Sequence, residues 1–137
     1  KMSGAKNPPA VRNALFGGFL PVADRADRGA LWECTVFTEI VKHLDLLDQI
    51  HFWRSKGGAE VDFVVIRQGR IIGIEAKAGD SRDARPSRSA RSFISAYRPH
   101  LFAVINRSLR EDTSLDGVDV VFRRPWEIPE VLEGAIA

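Results

Sequence analysis

Residues 51–79 read HFWRSKGGAEVDFVVIRQGRIIGIEAKAG. Two runs rich in Val, Ile and Phe, Glu60 to Ile66 and Arg70 to Ala76, flank the turn pair Gln68-Gly69. With those two residues as the loop of a hairpin, Arg67 pairs with Arg70, Val64 with Gly73, Asp62 with Glu75, and Glu60 with Lys77. Side chains alternate along a strand, so Glu60, Asp62, Glu75 and Lys77 share one face. Val61, Phe63, Val65, Ile72, Ile74 and Ala76 fill the other. Facing carboxylates destabilise a sheet by roughly 0.2–1 kcal/mol, and more where water is excluded. A hard divalent cation offsets that repulsion, because it takes carboxylate oxygens as ligands. The competing reading is an ordinary Glu60–Lys77 ion pair on a solvated face.

Outward from the hairpin, apolar residues of the segment Gly29 to Leu47 recur at three and four: Val36, Phe37, Ile40, Val41, Leu44 and Leu47. That period predicts a long helix. At 100° per residue, Glu33 falls in the middle of its apolar stripe. Glu39 lies about 120° away, on a rim or in solvent. Glu33 in a first turn also suits the helix dipole. His51 to Arg54 reads as a short strand, and Pro86 opens a second helix with Ala90, Phe93, Ile94 and Tyr97 inward and Pro99 as its stop. Leu101 to Asn106 and Val118 to Phe122 read as strands, followed by a short helical or irregular tail with Trp126. The first three strands form an antiparallel meander. The second helix is a crossover that returns a parallel strand. Residues 1–28 are an arm with a short helix over 10–16, and residues 29–137 form one globular domain.

The chain has 137 residues, 45% hydrophobic and 28% charged, which suits one folded domain with a real core. No apolar run approaches the ~20 residues of a membrane span. No secretory pattern opens the sequence, so a cytoplasmic setting is expected. Cys34 is the single cysteine, which excludes an internal disulfide and a cysteine-based zinc cluster. It reads as a buried small apolar residue. Net charge is +2, unevenly spread. Residues 81–110 carry arginines at 82, 85, 88, 91, 98, 107 and 110 against Asp83, whereas the tail beyond is acidic. Arg82, Arg85, Arg88 and Arg91 are candidates for contact with a phosphate backbone. Trp32, Trp53 and Trp126 read as core or rim residues rather than base-stacking platforms. His43, His51 and His100 show no ligand spacing. No GxxxxGK[ST] phosphate loop occurs.

The segments VRNALFGG (11–18), GALWECTVFTEIVKHL (29–44), FWRSKGGAEVDFVV (52–65), IGIEAKAG (72–79), SARSFISAYRP (89–99) and VVFRRPW (120–126) together resemble a known domain. It is the nuclease-like carboxy-terminal domain, of unknown function, of a bacterial and archaeal family of AAA-type P-loop ATPases. That domain is grouped with the PD-(D/E)XK nuclease superfamily. The resemblance covers most of the chain; the ATPase half has no counterpart in it, and KMSGAKNPPA matches poorly.

The resemblance implies a restriction-endonuclease-like α/β core, a mixed β-sheet flanked by helices in the order αβββαβ, here with a further strand. It implies that Asp62 is the acid of the second strand, that Glu75 and Lys77 are the (D/E)xK pair, and that Glu33 is the acid from the first helix. Asp62, Glu75 and the Ala76 carbonyl would hold Mg²⁺ or Mn²⁺, and Lys77 would offset charge during hydrolysis of a DNA phosphodiester. The alternative is a catalytically silent module that docks DNA or a protein for such an ATPase.

Overall fold

The computed structural model describes residues 2–3 and 28–134. The expected short helix over 10–16, and all of the expected arm except Met2 and Ser3, lie outside the described residues. The elements are β1 (Met2–Ser3), α1 (Arg28–Lys42), β2 (Gln49–Arg54), β3 (Glu60–Arg67), β4 (Arg70–Ala76), α2 (Arg88–Tyr97), β5 (Leu101–Ile105), β6 (Glu111–Leu115) and β7 (Val118–Arg123). A 3₁₀ turn (Pro125–Glu127) and α3 (Ile128–Gly134) follow. The strands form one mixed sheet in the order β1-β2-β3-β4-β5-β7-β6. β4–β5 and β5–β7 are parallel and the other pairs antiparallel. The α2 crossover therefore returns β5 parallel to β4, as its length predicts.

The β3–β4 hairpin has the expected loop. Gln68 and Gly69 sit at φ 51° and 76°, the backbone of a type I′ turn, and Arg67 faces Arg70. Its register holds from there to Phe63–Ile74 and stops. The expected Asp62–Glu75 and Glu60–Lys77 partners are therefore not formed. Glu60 is paired across β2 instead, opposite Arg54 and in ion contact with it at 2.9 Å. The reason is a β-bulge. His51 faces Val64 but Trp53 faces Val61, so Phe52 stands against both Asp62 and Phe63. Alternation breaks there: Val61 joins Val64 in the core under α2, while Phe63 packs in the core under α1. The sequence expectation of Val61 beside Phe63 is thus corrected.

Helices cover both faces of the sheet. On one, Val36 and Ile40 of α1 and Val131 and Leu132 of α3 close over Phe63, Val65, Ile72, Ile74 and Ile105. On the other, Ala90, Phe93 and Ile94 of α2 cover Val64, Phe102, Val104 and Phe122. Gly73 permits the second contact, because a Cβ there would lie 2.6 Å from the Phe102 ring. Cys34 is buried, as expected.

Helix α1 ends at Lys42, five residues before the predicted end, and Leu46 and Leu47 stand in solvent. The cause is distant in sequence. The buried guanidinium of Arg67 donates to the His43 carbonyl (2.8 Å), the Leu132 carbonyl (3.3 Å) and the Asp48 carboxylate (2.8 Å). Asp48 in turn accepts the Asp45 amide, which turns the chain. Burial pushes the Asp48 carboxyl up. The Arg67 hydrogen bond, the Asp45 amide and the Arg67 charge outweigh it and hold the group below its ordinary value.

Candidate functional site

The parallel strands β4, β5 and β7 end level with one another: Ala76 pairs with Ile105, and Ile105 with Arg123. In open α/β sheets, ligand sites gather at such carboxyl ends. The β3–β4 ladder opens at the same end, and the acidic residues singled out from the sequence lie in the opening.

Asp62, at the bulge, turns its carboxylate onto β4. Its Oδ2 accepts the Ala76 amide at 2.8 Å, so it sits against the Glu75–Ala76 peptide. The bulge and the end of pairing leave that amide available to a side chain rather than to a β3 carbonyl. Glu75 reaches the start of α2 on the other side. Its Oε2 accepts the Ser87 hydroxyl at 2.9 Å, and the same hydroxyl accepts the Ala90 amide at 3.0 Å as the helix N-cap. Burial pushes the Glu75 carboxyl above its ordinary value. The Ser87 hydrogen bond pulls it down, the Asp62 charge pushes it up, and Lys77 offsets part of the rise. The structure thus brings Asp62, Glu75 and Lys77 within electrostatic reach. Lys77 itself is exposed, while its backbone N–H donates to Ile105.

Glu33 faces inward on α1 as its helical angle predicts, with Oε1 shut off from solvent. Glu39 lies on the rim, paired with Lys42 at 2.8 Å. Among the described residues, no group of three or more His, Cys, Asp or Glu could hold a metal ion. Glu33, Asp62 and Glu75 therefore do not converge as a triad. The remaining donor set of two carboxylates and the Ala76 carbonyl is all hard oxygen, and Glu75 is held at a raised proton affinity partly by its neighbour's charge. That chemistry fits a hard divalent cation.

Arg82, Arg85, Arg88 and Arg91 are all exposed, on the loop into α2 and on its first turn. Arg85 lies 3.8 Å from Asp83. Helix α2 begins at Arg88 rather than Pro86, because Ser87 caps it. Arg110 departs from the basic block. It is held by Glu127 and Glu130 of the acidic tail. Glu127 also takes the Arg124 side chain, and its pKa falls to about 2, chiefly through that bond.

Several participants were not legible as site residues. Ser87 carries the usual signal of an N-cap before an apolar period, but nothing in sequence ties it to Glu75. Trp126 is 67% exposed, in contrast to the core or rim position read for it, whereas Trp53 is buried.

The fold and site define a mixed α/β domain with an acid pair and a lysine where two central strands part. Residues 28–125 match the family model described as a domain of unknown function, DUF4143, and the chain belongs to that family. No curated protein matches the chain. Among the described residues, no helix is long and apolar enough to cross a membrane.

Proposed function

We propose that this domain is a restriction-endonuclease-like module of the PD-(D/E)XK kind, hydrolysing DNA phosphodiester bonds in the cytoplasm in association with a P-loop ATPase. The observation that carries the reading is the Asp62 carboxylate on the Ala76 amide, beside Glu75 and within reach of its charge, with Lys77 just past the end of the strand. The order α1-β2-β3-β4-α2-β5 also fits that core.

Asp62, Glu75 and the Ala76 carbonyl would hold Mg²⁺ or Mn²⁺, which when bound supplies positive charge to a phosphate and a more acidic water. The chain's own groups do the rest. The Ala76 amide fixes the orientation of Asp62, and Ser87 fixes that of Glu75. The Lys77 ammonium offsets negative charge developing on the phosphoryl oxygens. Arg82, Arg85, Arg88 and Arg91 grip neighbouring phosphates without reading sequence.

The test is a calorimetric Mn²⁺ titration of the parent and of Asp62→Ala, followed by cleavage assays on single-stranded, duplex and branched DNA. Saturable binding lost in the variant, with cleavage lost in Lys77→Ala, supports hydrolysis. A second reading, the silent docking module, is favoured by one feature: both carboxylates already hold protein donors, Ala76 N–H and Ser87 O–H. Salt-dependent DNA binding with no cleavage under either metal would select it.

A further inference from the structure

Trp126 is 67% exposed, an unusual position for the largest side chain. The turn that carries it is nonetheless anchored. Pro125 opens its 3₁₀ turn, and the turn packs against α1, the helix that carries Glu33. The Arg124 guanidinium lies over the indole, 5.2 Å from the ring centroid. Glu127 fixes that guanidinium through Nε at 2.7 Å and the Arg124 backbone N–H at 2.8 Å, and is itself held by Arg110. The guanidinium covers one side of the ring, and most of the residue still meets water.

The position matters as much as the exposure. Ala76, Ile105 and Arg123 are level across three neighbouring strands. At about 4.8 Å per strand, the end of β7 lies roughly 10 Å from the end of β4, where Glu75 and Ala76 stand. Exposed cations cross that interval: Lys77 follows β4 and Arg107 follows β5. A row of positive charge leading from the acids to a rigid aromatic is the chemistry that tracks a nucleic-acid strand, phosphates on the cations and a base on the ring.

We propose that Trp126, backed by Arg124, is a stacking platform for an unpaired nucleobase, so that the domain takes DNA with a single-stranded segment running past Lys77 and Arg107. The proposal rests on the hydrolytic reading for its substrate, and names that substrate's class. A base inside a duplex has both faces covered by its neighbours; only an unstacked one can meet the indole. An exposed tryptophan also suits a protein partner, but the intervening cations favour phosphate.

The experiment titrates the full chain with single-stranded and blunt duplex oligonucleotides while following tryptophan fluorescence, for the parent, Trp126→Ala, Trp126→Phe and Asp62→Ala. Single strands should quench the parent. Trp126→Ala should lose the quench and bind single strands about five- to hundredfold more weakly, with duplex binding unchanged. Trp126→Phe should recover part of the affinity. Unaltered single-strand affinity in Trp126→Ala, or a quench that persists in it, would overturn the platform while leaving the acid pair untouched. Stacking by a parent protein that neither binds Mn²⁺ nor cuts would retain the platform and remove the hydrolytic reading, and stacking that survives in Asp62→Ala would show that the platform acts independently of the acid pair. No binding to any DNA would overturn both.

Discussion

The Asp62 carboxylate accepts the Ala76 backbone N–H at 2.8 Å, so one acid of the pair is anchored by the strand that carries the other. This anchor separates two substitutions that facing charges alone would make alike. Asp62→Asn can still accept the amide through its carbonyl oxygen, and it removes the charge that repels Glu75. Its melting temperature without metal should equal or exceed the parent's. Asp62→Ala leaves the Ala76 N–H without that acceptor, at a cost of about 1–3 kcal/mol. Denaturant unfolding of both variants checks the order. In either variant, the stabilisation by Mn²⁺ that the parent gains through mass action should be largely lost.

Acid should weaken the tail cluster. The Glu127 carboxyl lies at about 2, well below its ordinary 4.5, through the Arg124 hydrogen bond first and the Arg110 bond in addition, with burial opposing them. A depressed native value contributes stability that is fully present above the unfolded pKa and lost as pH falls through the native one. The parent should therefore lose stability between about pH 4.5 and pH 2, the window those two values set. Glu127→Gln should flatten this part of the profile, as read by thermal unfolding across the acid range.

Arg67 should tolerate no replacement. Its guanidinium is buried and bonds the Asp48 carboxylate together with the His43 and Leu132 carbonyls. Arg67→Ala takes the guanidinium from the Asp48 carboxylate and from the His43 and Leu132 carbonyls together, which costs about 1–3 kcal/mol. Arg67→Lys should recover only part, because a point ammonium cannot span the planar fork's partners. Chemical denaturation gives both values, and an Arg67→Lys protein as stable as the parent would refute the role assigned to the fork.

Gly73→Ala should destabilise by about 1–3 kcal/mol, since the added methyl meets two rings that lack room to retreat. The nearest approaches are 2.6 Å to Phe102 and 3.0 Å to Phe93. The double change Gly73→Ala with Phe102→Leu should recover part of the loss, because it removes the atoms in conflict.

Much of this fold is written locally. The Gln68-Gly69 turn and the apolar alternation beside it fix the hairpin register, and the 3.6 period places Glu33 inward. What could not be read depends on partners far along the chain. The bulge at Asp62 shows only in the pairing of β3 with β2, and alternation alone counts straight through it. Helix α1 stops early because Arg67 takes the His43 carbonyl, although the leucine pattern continues to Leu47. Strand β6 reads EDTSL, with no apolar face to announce it. Its Asp116-Gly117 turn, with φ 52° and 81°, was the usable signal. The acid pair was legible as a pair; its attachment to Ser87 across a helix cap was not.

The polarity that hid β6 has its own effect on the molecule's behaviour in company. β6 closes one border of the sheet, with one side of its backbone bonded to β7. An unpaired strand border is a template on which another chain can add. This one is five residues long and begins with exposed Glu111 and Asp112. Two copies approaching border to border would set acid beside acid, with little apolar area to repay the contact. The strand that is hardest to see in the sequence is therefore a poor template for a second copy at its own border of the sheet.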